Sequence, residues 1–598
     1  MLLIASQSGH DDVAITVPDD TTVMEALGSA GLRLDAPCGG NGRCGKCLVE
    51  VQGSLSPPSP KEGVILEAHP GRRLACLAKG SGEVVVTLEP KAVFKSVKGL
   101  GWSAPYSLDP PQKIIKVPER DRQDQRSALE FLNLATPCAS VLKSIGDLEA
   151  DRNLGYVLTY HDQVLAAFPF DQAPPPNLAA AFDLGTTGLA VAILDLSDRK
   201  IVAMETALNP QTAVGADVIS RITSAAHSID ELTKLQDLAL LGLKDLIAAA
   251  AGPAAGPAAS ADQDPDHETD PGPGPILAEN IHGAVVAGNA TMLHLLAGVN
   301  PKSLAQAPYR PIFTKALDIS HLATRLGLAP GAKVLTAPSI SSYVGGDITS
   351  GILAIKLAQR PGTVMFIDIG TNGEIVLSRK GDMVATSCAA GPALEGMNIS
   401  HGIRAISGAV DSFKLNPDFS PAFTTINDAP AVGICGSGLI DVCAELIKGG
   451  LIAKSGKLLT DQKFAPHVRE SAYHITDEVS FTQKDIRQVQ LAKGAIAAAM
   501  KMLLERLNLT IHDLDEVIVA GSFGYHLRAQ SLLTLKLIPE GYQGPVTFVG
   551  NSSLTGAARL LLDSSAQDEI DRLTSKVEVI ELGFDPKFQD TFLGELGF

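Results

Sequence analysis

Cys38, Cys44 and Cys47 lie on one glycine-rich loop, Cys38-Gly39-Gly40-Asn41-Gly42-Arg43-Cys44-Gly45-Lys46-Cys47, and Cys76 arrives from a distant segment. Four soft thiolates in this arrangement suit the two irons of a 2Fe–2S cluster. The loop's glycines let the backbone curl and turn N–H groups toward the cluster's sulfides. The first gap, C-x5-C, is one residue longer than the plant-type spacing, so the match is to the broader ferredoxin class. A structural zinc site shows two separated C-x2-C pairs, whereas this stretch has one. A disulfide is disfavoured in a chain whose Met1 is followed by no secretory signal pattern. Gly40–Lys46 also satisfies G-x4-G-K, but Cys47 replaces the Ser or Thr that would bind Mg²⁺, so no P-loop is present.

A second chemistry is written twice. Ala180-Ala181-Phe182-Asp183-Leu184-Gly185-Thr186-Thr187-Gly188 recurs as Met365-Phe366-Ile367-Asp368-Ile369-Gly370-Thr371-Asn372-Gly373. In each copy an apolar strand delivers an Asp to a tight Gly-Thr turn and continues as a hairpin. Such turns offer backbone N–H groups and Thr hydroxyls to phosphate oxygens. Asp183 and Asp368 would hold Mg²⁺, through water, because that ion keeps much of its hydration shell. A single Gly-Thr hairpin is an ordinary structural turn; two at matching strand positions point to a nucleotide held between two lobes.

Other segments fit around this pair. Val517–Ala520 is an apolar strand running into Gly521-Ser522-Phe523-Gly524, whose small residues would let an adenosine ring lie against the backbone. Cys435-Gly436-Ser437-Gly438 precedes an apolar helix, Leu439–Ile447, whose N-terminal amides would point at an anion. Asp217 and Asp347, each after a small residue, are candidate catalytic residues: each could serve as the catalytic Asp of a small-molecule kinase, and each is equally reasonable as a water- or Mg²⁺-organising group of an ATPase. Asn289 and Asn551 read mainly as helix starts.

The elements that must position these residues are legible in outline. Val13–Val17 and Val84–Leu88 alternate as strands, and Thr22–Gly31 reads as a short helix before the cysteine loop. From about Lys91 to Gln125 the pattern weakens into Pro- and charge-containing sequence, which reads as a linker. Ser127–Leu134 reads as a helix and Tyr156–Phe168 as a strand pair turning at His161-Asp162. Ala251–Pro275 is a low-complexity run of Ala, Gly, Pro and Asp, expected to be a disordered insertion.

The chain has 598 residues, 45% hydrophobic and 19% charged, which fits several globular domains. No uninterrupted apolar run reaches transmembrane length, so no membrane association and a cytoplasmic location are expected. The formal net charge of −17, with no basic stripe, argues against nucleic-acid binding. The remaining cysteines, Cys138, Cys388, Cys435 and Cys443, are scattered and read as buried, reduced core residues.

Together these residues resemble the superfamily of actin, heat-shock chaperones and sugar kinases. More closely, the chain resembles the reductive activators of corrinoid enzymes. The resemblance rests on Asp183–Thr187, Gly215–Arg221, Asp368–Glu374, Ser387–Pro392, Gly433–Asp441, Gln483–Arg487 and Gly521–Gly524. It departs at Ser522, where a second glycine is usual, and in the Ala251–Pro275 insertion. It implies an α/β multidomain chain with an N-terminal β-grasp ferredoxin-like domain, a small α+β middle domain and a two-lobed ribonuclease-H-like ATPase. The expected division is 1–92 for the ferredoxin domain, 93–125 for a linker and 126–176 for the middle domain. The ATPase follows at 177–598, with an insertion at 251–276.

The resemblance also implies a 2Fe–2S cluster, ATP and Mg²⁺. The nucleotide would lie against Gly185, Thr186, Thr187, Gly370, Thr371, Asn372, Gly373, Gly436, Ser437, Gly438, Gly521, Ser522, Phe523 and Gly524. The implied activity is ATP-dependent transfer of one electron to a corrinoid protein, returning inactive cobalt(II) to cobalt(I). The implied partners are the corrinoid protein of a methyltransferase or a methionine synthase and an upstream electron donor; a homodimer is open. Three alternatives stand beside it: an activator of another low-potential enzyme, a small-molecule kinase with a redox-sensing module, and a passive electron donor.

Overall fold

The computed structural model of the chain describes residues 1–7, 13–29, 42, 47–66, 71–88, 108–118, 125–135, 139–251, 276–521 and 527–598. Cys38, Cys44, Cys138, Ser522, Phe523, Gly524 and residues 252–275 lie outside the described residues, and so do the expectations that fall on them.

The first unit contains β1 (Leu2–Gln7), β2 (Val13–Thr16), α1 (Val23–Ser29), β3 (Leu48–Leu55), α2 (Pro60–Leu66), β4 (Arg72–Leu74) and β5 (Gly80–Leu88). Its sheet runs β2-β1-β5-β3-β4, with β1 and β5 parallel at the centre and antiparallel partners outside. Alternate residues of β1 and β5 (Leu3, Ala5, Val84, Val86) turn inward against Val23, Ala26 and Leu27 of α1. Cys47 and Cys76 sit in that same core.

The stretch expected to be linker contributes a strand, β6 (Gln112–Lys116), and this corrects the reading of 93–125 over those residues. It pairs antiparallel with β7 (Leu154–Tyr160), which pairs with β8 (Gln163–Pro169). Helices α3 (Ala128–Leu132) and α4 (Ala139–Ala150) lie between β6 and β7 in the chain. α3 starts on a capping box, Ser127 with Glu130.

Two further sheets carry the remainder. The first lobe contains β9 (Leu178–Leu184), β10 (Gly188–Asp195), β11 (Lys200–Leu208), α5 (Val218–His227), α6 (Ile229–Ala250), β12 (Ile281–Gly288), α7 (Ala290–Leu296), β13 (Lys333–Thr336) and α8 (Gly346–Ala354). The second contains β14 (Thr363–Ile369), β15 (Gly373–Arg379), β16 (Asp382–Cys388), β17 (Ala409–Leu415), β18 (Pro421–Thr425), β19 (Gly433–Ile434) and α9 (Gly436–Lys448). It continues with β20 (Val468–Arg469), β21 (Ala472–His474), β22 (Ser480–Thr482), α10 (Gln483–Arg506), β23 (Glu516–Ala520) and α11 (Ala529–Thr534). It closes with β24 (Val546–Gly550), α12 (Ser552–Leu562), α13 (Ala566–Thr574), β25 (Val577–Val579) and α14 (Pro586–Gly594).

The sheets have one topology. The order β11-β10-β9-β12-β13 in the first matches β16-β15-β14-β23-β24 in the second, and β25 extends the latter beyond β16. In both, the first two pairings are antiparallel and the last two parallel. The strands read as near-continuous apolar runs because both faces are covered. Ala179 and Ala181 of β9, and Val364 and Phe366 of β14, face a shared core built on α8 and α12. Ala180 and Phe182 turn to the outer helices of the first lobe, and Met365, Ile367 and Ile369 to those of the second. α8 and α12 approach so closely that a Cβ on Gly556 would run into the Ser350 carbonyl, which glycine there permits.

The small sheet is joined to the first lobe by buried polar contacts. Gln112 Nε2 donates to Asn177 Oδ1 at 2.7 Å and to the Leu178 carbonyl at 3.2 Å. Asn177 Nδ2 donates back to the Gln112 carbonyl at 3.3 Å.

Candidate functional site

The first turn is held from below. Asn209 Nδ2 donates to the Gly185 carbonyl at 2.7 Å, and the Asn209 N–H to the Thr187 carbonyl at 2.8 Å. Arg221, fully buried, donates from Nη2 to the Thr186 carbonyl at 2.5 Å and from Nε to the Gly215 carbonyl at 2.9 Å. Its Nη1 reaches Gln211 Oε1 at 3.2 Å. With its carbonyls drawn downward, the turn presents its side chains to the cleft. Burial pulls the Arg221 guanidinium down to about 10, with Asp217 pulling the other way.

The second turn repeats the geometry with different supports. The Gly370 N–H donates to the Asn372 carbonyl at 2.9 Å, closing the turn. Gly521 holds φ +123°, and a Cβ there would run into the Ile369 carbonyl. The start of the expected adenosine loop therefore lies directly beside β14 and Asp368.

The two turns meet. Thr187 Oγ1 and Thr371 Oγ1 are 3.5 Å apart, and both donate to Glu395 Oε2, at 3.3 and 3.1 Å. Glu395 ends a short 3-10 turn, Pro392–Glu395, in the second lobe.

Around this point carboxylates gather. Asp183 accepts from Asn551 Nδ2 at 2.8 Å and Ser553 Oγ at 2.9 Å, at the N-terminal end of α12. Burial nevertheless raises its carboxyl above the usual range. Asp368 is pushed up to about 8 by burial and by the charges of Asp347, Asp183 and Glu395. Asp347 is pushed up to about 7 by burial and by Asp183, against a bond from the Ile348 N–H. Glu374 is raised well above its usual value by burial, then by Asp347 and Asp368, while Ser387 Oγ donates to it at 3.1 Å. Mutually raised carboxyls mark a pocket with more negative charge than the protein neutralises. Hard oxygen donors of this kind suit Mg²⁺. Among the described residues no group of three His, Cys, Asp or Glu side chains is placed to hold a metal ion directly.

The structure thus brings Asp183, Asp347 and Asp368 together with Thr187 and Thr371. Asp217 is elsewhere: it is exposed and caps α5, accepting from the Ser220 N–H at 2.8 Å. Ser437 is occupied with the Asp411 carbonyl at 2.9 Å, as α9 packs on β17. Asn289 and Asn551 are helix caps, as read, and each also holds the site with its amide nitrogen. Asn289 Oδ1 caps Met292 while Nδ2 donates to Thr186 Oγ1 at 2.9 Å. Glu395, Glu374, Ser553, Asn209 and Arg221 were not singled out individually from the sequence.

The described cysteines of the N-terminal unit also fit their expected group. Cys47 Sγ and Cys76 Sγ are 3.3 Å apart in the buried core, as thiols rather than a disulfide. That is too long for the roughly 2.05 Å disulfide bond. It approaches the ~3.7 Å between two thiolates on one tetrahedral metal with bonds of ~2.3 Å. The contact with Cys47 lowers the Cys76 thiol to about 7, against the effect of burial. Thiolate character is what metal ligation requires. Cys388, Cys435 and Cys443 are buried free thiols whose pKa burial raises.

Comparison with known proteins follows the same division. Residues 8–80 match the model of the 2Fe–2S iron–sulfur cluster binding domain. Residues 178–258 and 275–360, the first lobe, match the RACo middle region, and residues 362–598 match the C-terminal domain of RACo, the ASKHA domain. A corrinoid activation enzyme, RamQ, of Eubacterium limosum is 28% identical over 97% of this chain and 96% of its own. A [Co(II) methylated amine-specific corrinoid protein] reductase of Methanosarcina barkeri is 26% identical over 54% of this chain and 64% of its own. The solved structure of a reductive activator for corrinoid, iron-sulfur protein superposes with a TM-score of 0.74 at 29% identity, covering 100% of this chain and 98% of that one.

Proposed function

Because the chain belongs to the RACo family, carrying its ferredoxin, middle and ASKHA regions in order, we propose that it reductively activates a corrinoid protein at the expense of ATP. The observation that carries the reading is the meeting of two duplicated Asp–Gly–Thr turns across a carboxylate-lined cleft, in a chain that also holds a buried cysteine pair. The names of its relatives supply the substrate class.

Cys38, Cys44, Cys47 and Cys76 would hold a 2Fe–2S cluster, which when bound would supply the one electron that takes the partner's cobalt from Co(II) to Co(I). The core around Cys47 and Cys76 excludes water from two of the ligands. Glu62, ion-paired with Arg73 at 2.7 Å, accepts from the Leu74 N–H and fixes the strand that leads to Cys76.

ATP binds between the lobes, its phosphates on the Gly185–Thr187 and Gly370–Gly373 turns. Asp183 and Asp368, from opposite lobes, would hold Mg²⁺ through its water shell, with Asp347 beside them. Asn551 and Ser553 keep Asp183 aimed at the cleft. The role of ATP is conformational. Partner binding that favours the reduced corrinoid by about 10⁴-fold, roughly 5.5 kcal/mol, shifts a one-electron potential by about 240 mV. The corrinoid partner belongs to a methyltransferase or a methionine synthase, and an upstream donor re-reduces the chain.

The test follows the corrinoid absorption spectrum with chemically reduced protein, with and without Mg·ATP. Reduction of cobalt(II) is expected only with nucleotide. Asp368→Ala is expected to abolish hydrolysis and ATP-dependent reduction while leaving the iron–sulfur absorption intact. Equal rates with and without ATP would reduce the ATPase to a scaffold and refute the coupling.

A further inference from the structure

The group that fills the space between the two phosphate turns is a side chain of the protein itself. Glu395 Oε2 receives hydrogen bonds from Thr187 of the first lobe and Thr371 of the second. The Thr371 backbone N–H also faces this carboxylate, and Arg404 lies near enough for its charge to be felt. Gly370 of the second turn lies beneath its other oxygen, which a Cβ there would meet at 3.7 Å. Thr hydroxyls, a turn N–H and a nearby guanidinium are donors suited to a phosphate oxygen. A carboxylate oxygen satisfies them in the same way, with an anionic acceptor.

Resting on the nucleotide reading above, we propose that Glu395 occupies the seat of ATP's terminal phosphate and thereby sets the preference between ATP and ADP. Only a group placed between the lobes can engage both Thr187 and Thr371. In a nucleotide whose phosphates run along the two turns toward Asp183 and Asp368, that group is the terminal one. ADP ends one phosphate earlier and leaves Glu395 on both hydroxyls. ATP must displace it, breaking two charge-assisted bonds before its own can form. Glu395 therefore penalises ATP selectively, and its release is a local change that ATP makes and ADP does not. It also clasps the lobes together, because it stands on the second lobe and accepts from Thr187 of the first.

The experiment measures binding of Mg·ATP and Mg·ADP to the full-length, cluster-loaded protein by titration calorimetry, for the natural chain, Glu395→Gln and Glu395→Ala. Gln keeps the shape and one acceptor but removes the charge; Ala vacates the seat. Both variants are expected to bind Mg·ATP about tenfold more tightly, as weaker competing bonds are surrendered. Mg·ADP affinity is expected to stay within about twofold. An equal gain for both nucleotides would mean that Glu395 acts as diffuse cleft charge, or sits at an inner phosphate, and overturns the proposal. Weaker ATP binding in both variants would make Glu395 a support for Mg²⁺ or phosphate, and also overturns it. A natural chain that binds neither nucleotide would instead sink the nucleotide reading itself.

Discussion

Replacing Arg221 by Met separates a residue that stabilises the fold from one that shapes the site. Methionine keeps much of the side-chain length, so the change removes donors and charge more than volume. Two buried carbonyls, Thr186 and Gly215, lose the donor that the guanidinium supplies. At ~1–3 kcal/mol for each buried group left unsatisfied, the loss is about 2–6 kcal/mol. Gln211 Oε1 keeps its bond from Asn209 Nδ2 and adds little. Against this stands the cost of burying a guanidinium, expressed in its fall from 12.5 to about 10. That fall corresponds to roughly 3 kcal/mol, which Arg221→Met recovers. The opposing effects leave a net change between about 1 kcal/mol of stabilisation and about 3 kcal/mol of destabilisation, modest for a fully buried arginine. The effect on the turn is not offset, because the Thr186 carbonyl is no longer drawn away from the cleft. Mg·ATP affinity is therefore expected to fall at least tenfold while the denaturant midpoint moves little. Arg221→Lys is expected to rescue only part of the affinity, since one ammonium cannot serve both carbonyls with the same geometry. Denaturant unfolding and calorimetric ATP binding on the same preparations decide the matter. A variant that unfolds readily yet, where folded, binds ATP normally would show that Arg221 is a core support with no part in positioning the turn.

Cys76→Ala is expected to abolish the visible iron–sulfur absorption and most bound iron, whereas Cys443→Ala, remote in the second-lobe core, leaves both unchanged; iron and sulfide analysis checks this. Premixed Mg·ATP is expected to release about one proton per chain on binding at pH 7, and far less at pH 9. Asp368 and Asp347, raised to about 8 and 7, are partly protonated at neutrality and must ionise to face the metal. Titration calorimetry in buffers of different ionisation enthalpy measures this, and zero release at pH 7 counts against the carboxylate assignment. Burial lowers His282 to about 4, so it stays neutral in the folded chain where the unfolded chain protonates from about 6.5 downward. Stability is thus lost as pH falls, by about 2 kcal/mol between pH 7 and 5. His282→Phe is expected to remove that part of the acid sensitivity, as read by denaturant unfolding at the two pH values.

Local patterns were legible in the sequence, and long-range partnerships were not. The Asp–Gly–Thr turns could be read because strand, carboxylate and turn are contiguous, and because they occur twice. Asn551 reads as a helix start, which it is; the bonds that it and Ser553 make to Asp183 span 368 and 370 residues, and no local periodicity encodes them. Glu395 was hidden for a different reason: it ends a 3-10 turn after Gly391-Pro392, with no apolar strand to mark it. β6 was missed because it is five residues long and lies between Pro110-Pro111 and a charged run. Its pairing comes from β7, far along the chain. Asp217 shows the opposite error. An Asp before an apolar helix, with Ser three residues later, is equally a capping signature, and capping is its use here.

The helix that fixes Asp183 also reaches the segment that leads into the small domain. α12 begins at Ser552, beside the asparagine and serine that hold Asp183, and ends at Leu562. Two residues on, the Ser564 N–H donates to the Asp109 carbonyl at 2.8 Å, and Leu108 packs into the core shared by the lobes. Asp109 lies three residues before β6, in the segment that enters the small domain from the ferredoxin unit. Eleven helical residues span about 16 Å, so one rigid element runs from the residues that hold Asp183 to the root of that segment. Gln112 and Asn177 meanwhile tie β6 to the first lobe at the start of β9, the strand whose other end carries Asp183. The small domain is therefore attached at two points, and each leads to Asp183 through a single regular element. A change in how Asp183 is held on nucleotide binding would act on α12 and β9 together, which would give the proposed coupling between hydrolysis and electron delivery a physical route through packed structure.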